Sequence, residues 1–163
     1  MPGISASLSA VGKLSEFLTG QVGMTHRFVV AIDQGEYDLG TWSRVSGLSV
    51  SWAKYTYRPG SSNDETLVPG NATYPNITLS RAACHDSGTV QQWLAATTKE
   101  RTLHSGAIYM IDFLGQPVVT WELKTFFPIG WKITEFDAGG AKPAIESLDL
   151  AHNGFLHDEV MPG

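Results

Sequence analysis

Within residues 118–126, Val119, Trp121 and Leu123 alternate cleanly with Thr120, Glu122 and Lys124. Side chains along a strand point to opposite faces with period two, so this stretch presents one apolar face and one polar face. A strand with one wet face belongs in an antiparallel sheet, since parallel strands are covered on both sides.

The same period recurs elsewhere. In 26–33, His26, Phe28, Val30 and Ile32 point one way and Arg27, Val29, Ala31 and Asp33 the other, and Gln34-Gly35 reads as a turn. A long β-branched and aromatic stretch follows at 37–57, with Gly47 as a bulge or bend. Residues 58–63 read as a loop that ends near Pro69-Gly70, before a strand at 76–81. Residues 107–114 and 118–126 form an expected hairpin across Gly115-Gln116. Gly139-Gly140 reads as a turn before a closing strand at 144–152, where Leu148 and Leu150 alternate with Ser147 and Asp149.

One internal segment breaks the pattern. Val90, Trp93, Leu94 and Thr97 recur at helical spacing, Asp86 or Ser87 stands where an N-cap accepts a free backbone N–H, and Lys99-Glu100-Arg101 closes the segment. The tally is at least six strands and one helix. Strands do not alternate with helices, which argues against a Rossmann-type sheet. The expected fold is mainly β: an antiparallel barrel or sandwich with one inserted α-helix.

Residues 1–23 differ. Ile4, Leu8, Val11, Leu14, Leu18 and Val22 recur every three or four positions, with Ser, Gly, Lys13 and Glu16 between them. Gly12 and the serines make this a weak helix alone, so the extension is expected to be helical against a partner or disordered. Membrane-surface helices are rich in Lys and Arg, and this one carries Lys13 only, so docking on a partner, through residues such as Leu8 and Leu14, or disorder is expected rather than a membrane role. Residues 24–163 then form the barrel domain.

A chain of 163 residues is most simply one such domain. At that size about 70% of the unfolded chain's surface is buried, and the core needs no staple. Five Trp, five Tyr and seven Phe beside few charges are expected either in surface that becomes buried between subunits or in the subunit's own core. A net charge of −5 with scattered Lys and Arg argues against sequence-specific nucleic-acid binding. No stretch approaches the ~18 apolar residues of a membrane helix, so no stable membrane insertion is expected. No basic n-region with an apolar core opens the chain, so cytoplasmic synthesis is expected.

Chemistry finds little support. His26, His85, His104, His152 and His157 show no metal-ligand spacing and are expected in structural or surface roles. Cys84-His85-Asp86 has the residue types of a triad, but triad members must converge in space and neighbours in sequence rarely do. A half-buried Cys before a helix cap is the expectation for Cys84, the single cysteine. Glu122, Glu135, Asp137, Glu146 and Asp149 are read as solvated strand or loop carboxylates rather than a glycosidase pair. No phosphate-cradling glycine motif is present. The expectation is therefore no enzyme, no cofactor and no metal.

Four co-linear stretches carry a family likeness. They are His26-Arg27-Phe28-Val29-Val30; Val45-Ser46-Gly47-Leu48; Tyr57-Arg58-Pro59-Gly60 with Val68-Pro69-Gly70 and Tyr74-Pro75-Asn76-Ile77-Thr78-Leu79-Ser80-Arg81; and Trp121, Phe127-Pro128 and the run from Ala144 to His152. Over residues 24–156 the chain resembles the tail-tube proteins of contractile phages and phage-derived injection systems. The resemblance implies hexameric rings of β-barrels stacked into a hollow tube inside a sheath, with baseplate or spike proteins as partners and possible cargo in the lumen. It also implies that the loop at about 58–74 reaches the adjacent ring and that the helix near 86–98 sits at subunit contacts. Arg58, Pro59, Asn63, Asp64, Glu65, Leu67, Tyr74 and Trp93 are accordingly expected at inter-subunit contacts, with Leu8 and Leu14 from the extension. The chain departs from the family pattern at Ser61–Glu65, which lacks the usual basic pair, at Thr125-Phe126-Phe127-Pro128, read as a rigid corner, and in its longer leader. A main tube subunit is the first reading. A tube-initiating ring, or a monomeric binding module on a related barrel, is the alternative.

Overall fold

The computed structural model describes residues 27–33, 37–134, 139–140 and 142–156. The expected helix at 4–22, the turn at Gln34-Gly35, and His26, Glu135, Asp137 and His157 lie outside the described residues. Nine strands and one helix are present among those described: β1 (Arg27–Ile32), β2 (Thr41–Trp42), β3 (Arg44–Ser46), β4 (Ser51–Tyr57), β5 (Thr66–Thr73), β6 (Ile77–Ala82), α1 (Ser87–Glu100), β7 (His104–Ile111), β8 (Pro117–Ile133) and β9 (Ile145–His152).

Seven strands form one antiparallel sheet in the order β2-β1-β7-β8-β9-β6-β3, and β4 and β5 form a separate two-stranded ribbon. The ends of the large sheet meet in one short segment. Its β2 half pairs with β1, Phe28 opposite Trp42. Its β3 half, one residue later, pairs with β6, Val45 opposite Leu79. Ser43 between them gives its N–H and its hydroxyl to the Ser80 carbonyl, at 3.1 and 2.9 Å. The sheet therefore closes into a barrel, which removes its exposed edges.

The stretch 37–57 is thus three strands, not one. Gly47 ends the barrel part with φ +87°, and a Cβ there would run into the Asn76 carbonyl. Only glycine takes that conformation and that approach without strain. The loop expected up to Pro69-Gly70 is also shorter, because β5 runs straight through both residues. Proline lacks the ladder N–H, and a two-stranded ribbon, all edge, is where it is tolerated.

The Phe-Phe-Pro run is not a corner. β8 continues through it for 17 residues. The first half of β8 pairs with β7 and the second with β9, with register shifts near Ser105 and between Pro128 and Gly130. The shifts reset which residues face inward: Trp121 and Leu123 before the first, Phe126 after it. Val119, expected on the same inward face, is exposed.

The core comprises Val30, Leu39, Trp42, Ile77, Leu79, Ile108, Leu123, Phe126, Leu148 and Leu150 from the barrel, with Val90 and Trp93 from α1. The helix face expected from spacing is the face that packs, with Leu94 lying against the same core. Its N-terminus differs from expectation. Asp86 occupies the cap position but makes no side-chain cap bond, and the Ser87 hydroxyl turns elsewhere. Arg101 ends the helix in the left-handed region at φ 53°, its N–H bonded to the Thr97 carbonyl at 2.7 Å.

Candidate functional site

The barrel is locked by a buried polar centre that the sequence did not reveal. Glu146 shares its strand face with Leu148 and Leu150 and is 0% exposed, so it is not the solvated carboxylate expected. Arg81 Nε and the Ser87 hydroxyl both donate to its Oε2 at 2.7 Å, and Trp131 Nε1 donates to its Oε1 at 2.9 Å. Arg81 Nη1 also donates to the Leu39 carbonyl at 2.7 Å, and the guanidinium lies 4.1 Å from the centre of the Trp42 ring. Burial by itself would raise the Glu146 pKa; the bonds from Arg81, Trp131 and Ser87 and the Arg81 charge outweigh it and hold the carboxyl below its ordinary value. This centre ties β6, β8, β9, α1 and the segment before β2 together.

The ribbon is built differently. Every residue of β4 is exposed, and all of β5 but one. Residues directly opposite in an antiparallel pair share a face. Tyr55 with Val68 and Tyr57 with Thr66 make one face; Lys54 with Pro69 and Thr56 with Leu67 make the other. Tyr55 and Tyr57 are 60% and 63% exposed; Val68 is exposed on the same face, Leu67 on the other, and Trp52 further along β4 is exposed as well. The register slips between Trp52 and Lys54. Gly70 lies at that slip, and a Cβ there would meet the Tyr55 ring at 2.6 Å. Glycine thus allows Tyr55 to lie across the ribbon. At the tip, Arg58 Nη2 meets Glu65 Oε1 at 2.9 Å, with both side chains more than half exposed. An exposed pair of this kind adds at most about 1 kcal/mol.

A two-stranded ribbon has no core of its own and is marginal in water. Here it also holds large aromatic and aliphatic side chains largely exposed. Of the residues expected at contacts, Arg58, Pro59, Asn63, Asp64, Glu65 and Leu67 all lie on this ribbon or its connecting loop. Trp52, Tyr55, Tyr57 and Val68 stand on the ribbon with them, and the sequence signal for these is the aromatic-rich run Trp52, Tyr55, Tyr57.

Two expected contact residues stand elsewhere. Trp93 is 1% exposed and packs on His104 and Phe126, with ring centroids 5.3 and 6.5 Å away. It faces the subunit core because it belongs to the apolar face of α1. Tyr74 packs at the base of the ribbon, 5.5 Å from His152 and 5.3 Å from Phe155. Leu8 and Leu14 lie outside the described residues.

The histidines of the barrel have structural partners. His104 Nε2 lies 3.0 Å from Thr97 Oγ1, and burial lowers its pKa against the opposing charge of Glu100. His152 Nδ1 accepts the Gly154 N–H at 3.2 Å, which leaves Nε2 to donate to the Pro75 carbonyl at 2.9 Å. Burial lowers its pKa, partly offset by the bond to the Pro75 carbonyl. Cys84 is exposed rather than half-buried, and its backbone N–H bonds the Ser87 hydroxyl at 3.1 Å. The Asp86 carboxylate lies against Gly40. Asp149 accepts a bond from Thr78 Oγ1 at 2.6 Å. An open groove of about 520 Å³ runs between α1 and β7, lined by Ile32, Tyr37, Trp93, Thr97 and His104 among others. No described helix is long and apolar enough to cross a membrane.

Comparison with known proteins agrees with this architecture. The fold is similar to a chain of the sheath–tube complex of an extracellular contractile injection system, PVC, in its extended state, at 24% identity and TM-score 0.63, covering 78% of this chain and 84% of the other. It is similar to a chain of the cap that terminates the tube of the anti-feeding prophage, at 25% identity and TM-score 0.63, covering 78% and 85%. It is also similar to a chain of the anti-feeding prophage baseplate, at 19% identity and TM-score 0.59, covering 78% and 88%. No curated protein matches the chain. A family model described as T4-like virus tail tube protein gp19 matches residues 24–156, the whole barrel with its ribbon, and the chain belongs to that family.

Proposed function

We propose that this protein is a structural subunit of the inner tube of a contractile tail or injection system, assembling as hexameric rings that stack into a hollow tube. The observation that carries the reading is the β4–β5 ribbon. It projects an aromatic, largely exposed surface from a barrel whose buried Glu146 carboxylate finds its partners within the subunit. Heterologous contacts of one patch with another on the next copy close a ring or extend a filament, which is the assembly a tube requires. The sheath and the baseplate or spike are the partners this role brings, with cargo in the lumen.

Negative-stain microscopy of the purified full chain tests the reading. Rings or short tubes at high concentration are expected. A monodisperse monomer at every concentration, with no place in particles from the source, overturns it.

A second reading has its own support. Similarity to cap and baseplate chains is about as strong as to the sheath–tube chain. This favours considering a subunit at an end of the tube, joining it to the baseplate or terminating it. Gold-labelled antibody along the length of a particle's tube supports the trunk role, and label confined to one end supports the other.

A further inference from the structure

The turn between β7 and β8 is built rigidly and yet displays apolar side chains. Asp112 organises it. Its Oδ1 accepts the N–H groups of Leu114 and Gln116, each at 2.9 Å, its carbonyl accepts the Gly115 N–H at 3.1 Å, and its own N–H reaches the Gln116 carbonyl at 3.0 Å. Gly115 supplies the positive φ, +80°. Turns are ordinarily polar, but this one holds Phe113 and Leu114 outward, with Val118 just beyond; Leu114 and Val118 are 60% and 53% exposed. A fixed, apolar tip is a docking surface, and the sequence supplies an occupant at its side. Arg27, the first residue of β1, stands opposite Ile111, the residue before the turn. The chain preceding it carries the apolar stripe Ile4, Leu8, Val11, Leu14, Leu18 and Val22, with Lys13 and Glu16 its only charges.

We propose that the segment 4–22 docks its apolar stripe on the Phe113-Leu114-Val118 tip of the same chain. Geometry favours the chain's own segment over a second copy. Neighbouring strands lie about 4.8 Å apart, so the segment enters beside the tip. Only four residues, 23–26, separate Val22 from β1, and a linker of that length spans at most about 14 Å. So short a tether holds the segment at an effective concentration in the mM range, above any ordinary concentration of a competing copy. The stripe is weakly helical alone and gains its order from burial on the tip, while the tip loses its exposed apolar surface. The pairing does not depend on the tube assignment.

Hydrogen exchange on the full chain at low concentration is the test, with a disulfide trap beside it. Amides of 4–22 are expected to exchange about tenfold more slowly than free peptide, and Phe113→Ser with Leu114→Ser to abolish that protection while β6 and β9 amides keep theirs. In a Cys84→Ser background, Leu14→Cys with Leu114→Cys is expected to cross-link within one chain under mild oxidation, and Leu14→Cys with Tyr57→Cys not to. Absence of protection in the unaltered chain overturns the proposal. So does protection that survives the tip substitutions, or a cross-link that forms only between chains.

Discussion

Arg81 Nε and Glu146 Oε2 meet at 2.7 Å inside the barrel, 65 residues apart in the chain, with both side chains almost fully buried. The pair joins β6 to β9 in register, Arg81 opposite Glu146. Removing one partner strands a buried charge, which typically costs about 3–5 kcal/mol. Glu146→Ala and Arg81→Ala are each expected to lose that much in urea unfolding. Replacing both, as Arg81→Met with Glu146→Leu, is expected to cost clearly less than the two single losses together, because neither charge is left behind. Additive losses would show that the pair is not the unit described.

Gly47 and Gly115 share nearly the same φ, +87° and +80°, but not the same surroundings. Gly115 has open space where a Cβ would stand, whereas Gly47 abuts the Asn76 carbonyl. Gly115→Ala is expected to cost only the backbone term, about 1 kcal/mol. Gly47→Ala is expected to cost distinctly more, about 2–4 kcal/mol, since it adds a backbone clash to the strain. Thermal unfolding of the two variants side by side separates the contributions.

His152 and His104 link stability to pH. Burial lowers both pKa values below 6.5, so the unfolded chain binds protons that the folded chain does not as pH falls through that value. Their effect is therefore absent well above pH 6.5, and stability falls below it until the folded pKa values are reached. Glu146, also lowered, loses its contribution only further into acid, below the ordinary 4.5. Urea midpoints from pH 8 to 5.5 are expected to decline, and His152→Asn to decline less steeply. A midpoint that rises on acidification would contradict the sign.

The ribbon separates assembly from folding. Tyr55→Ser with Tyr57→Ser removes side chains that are more than half exposed and lie outside the barrel core. Stability is expected to change by no more than about 0.5 kcal/mol per site, while light scattering shows loss of rings or tubes. A large fall in stability, or assembly unaffected, would move the interface elsewhere.

Much of this architecture is legible one segment at a time. The alternation around Trp121 and Leu123, the helical stripe through Val90 and Trp93, and the turn at Gly115 are local patterns that a strand, a helix and a hairpin each impose on their own residues. The co-linear stretches from His26 to His152 carried the family in the same way. Trp93 shows where local reading stops: its spacing marked an apolar helix face, but not whether that face meets the subunit's own barrel or a neighbour.

What the amino-acid order establishes here, then, is the succession of strands around one inserted helix and the family to which they belong, because both are written in short-range periodicity and motif. Closure of the barrel was settled in space. Two pairing edges meet at Ser43, within a stretch that reads as one continuous strand, and no periodicity announces that its halves pair with β1 and β6. The same holds for Glu146, whose charge reads as solvent-facing until Arg81, Ser87 and Trp131 arrive from distant parts of the chain to satisfy it. Burial and pairing are properties of neighbours, and those neighbours are set by long-range packing.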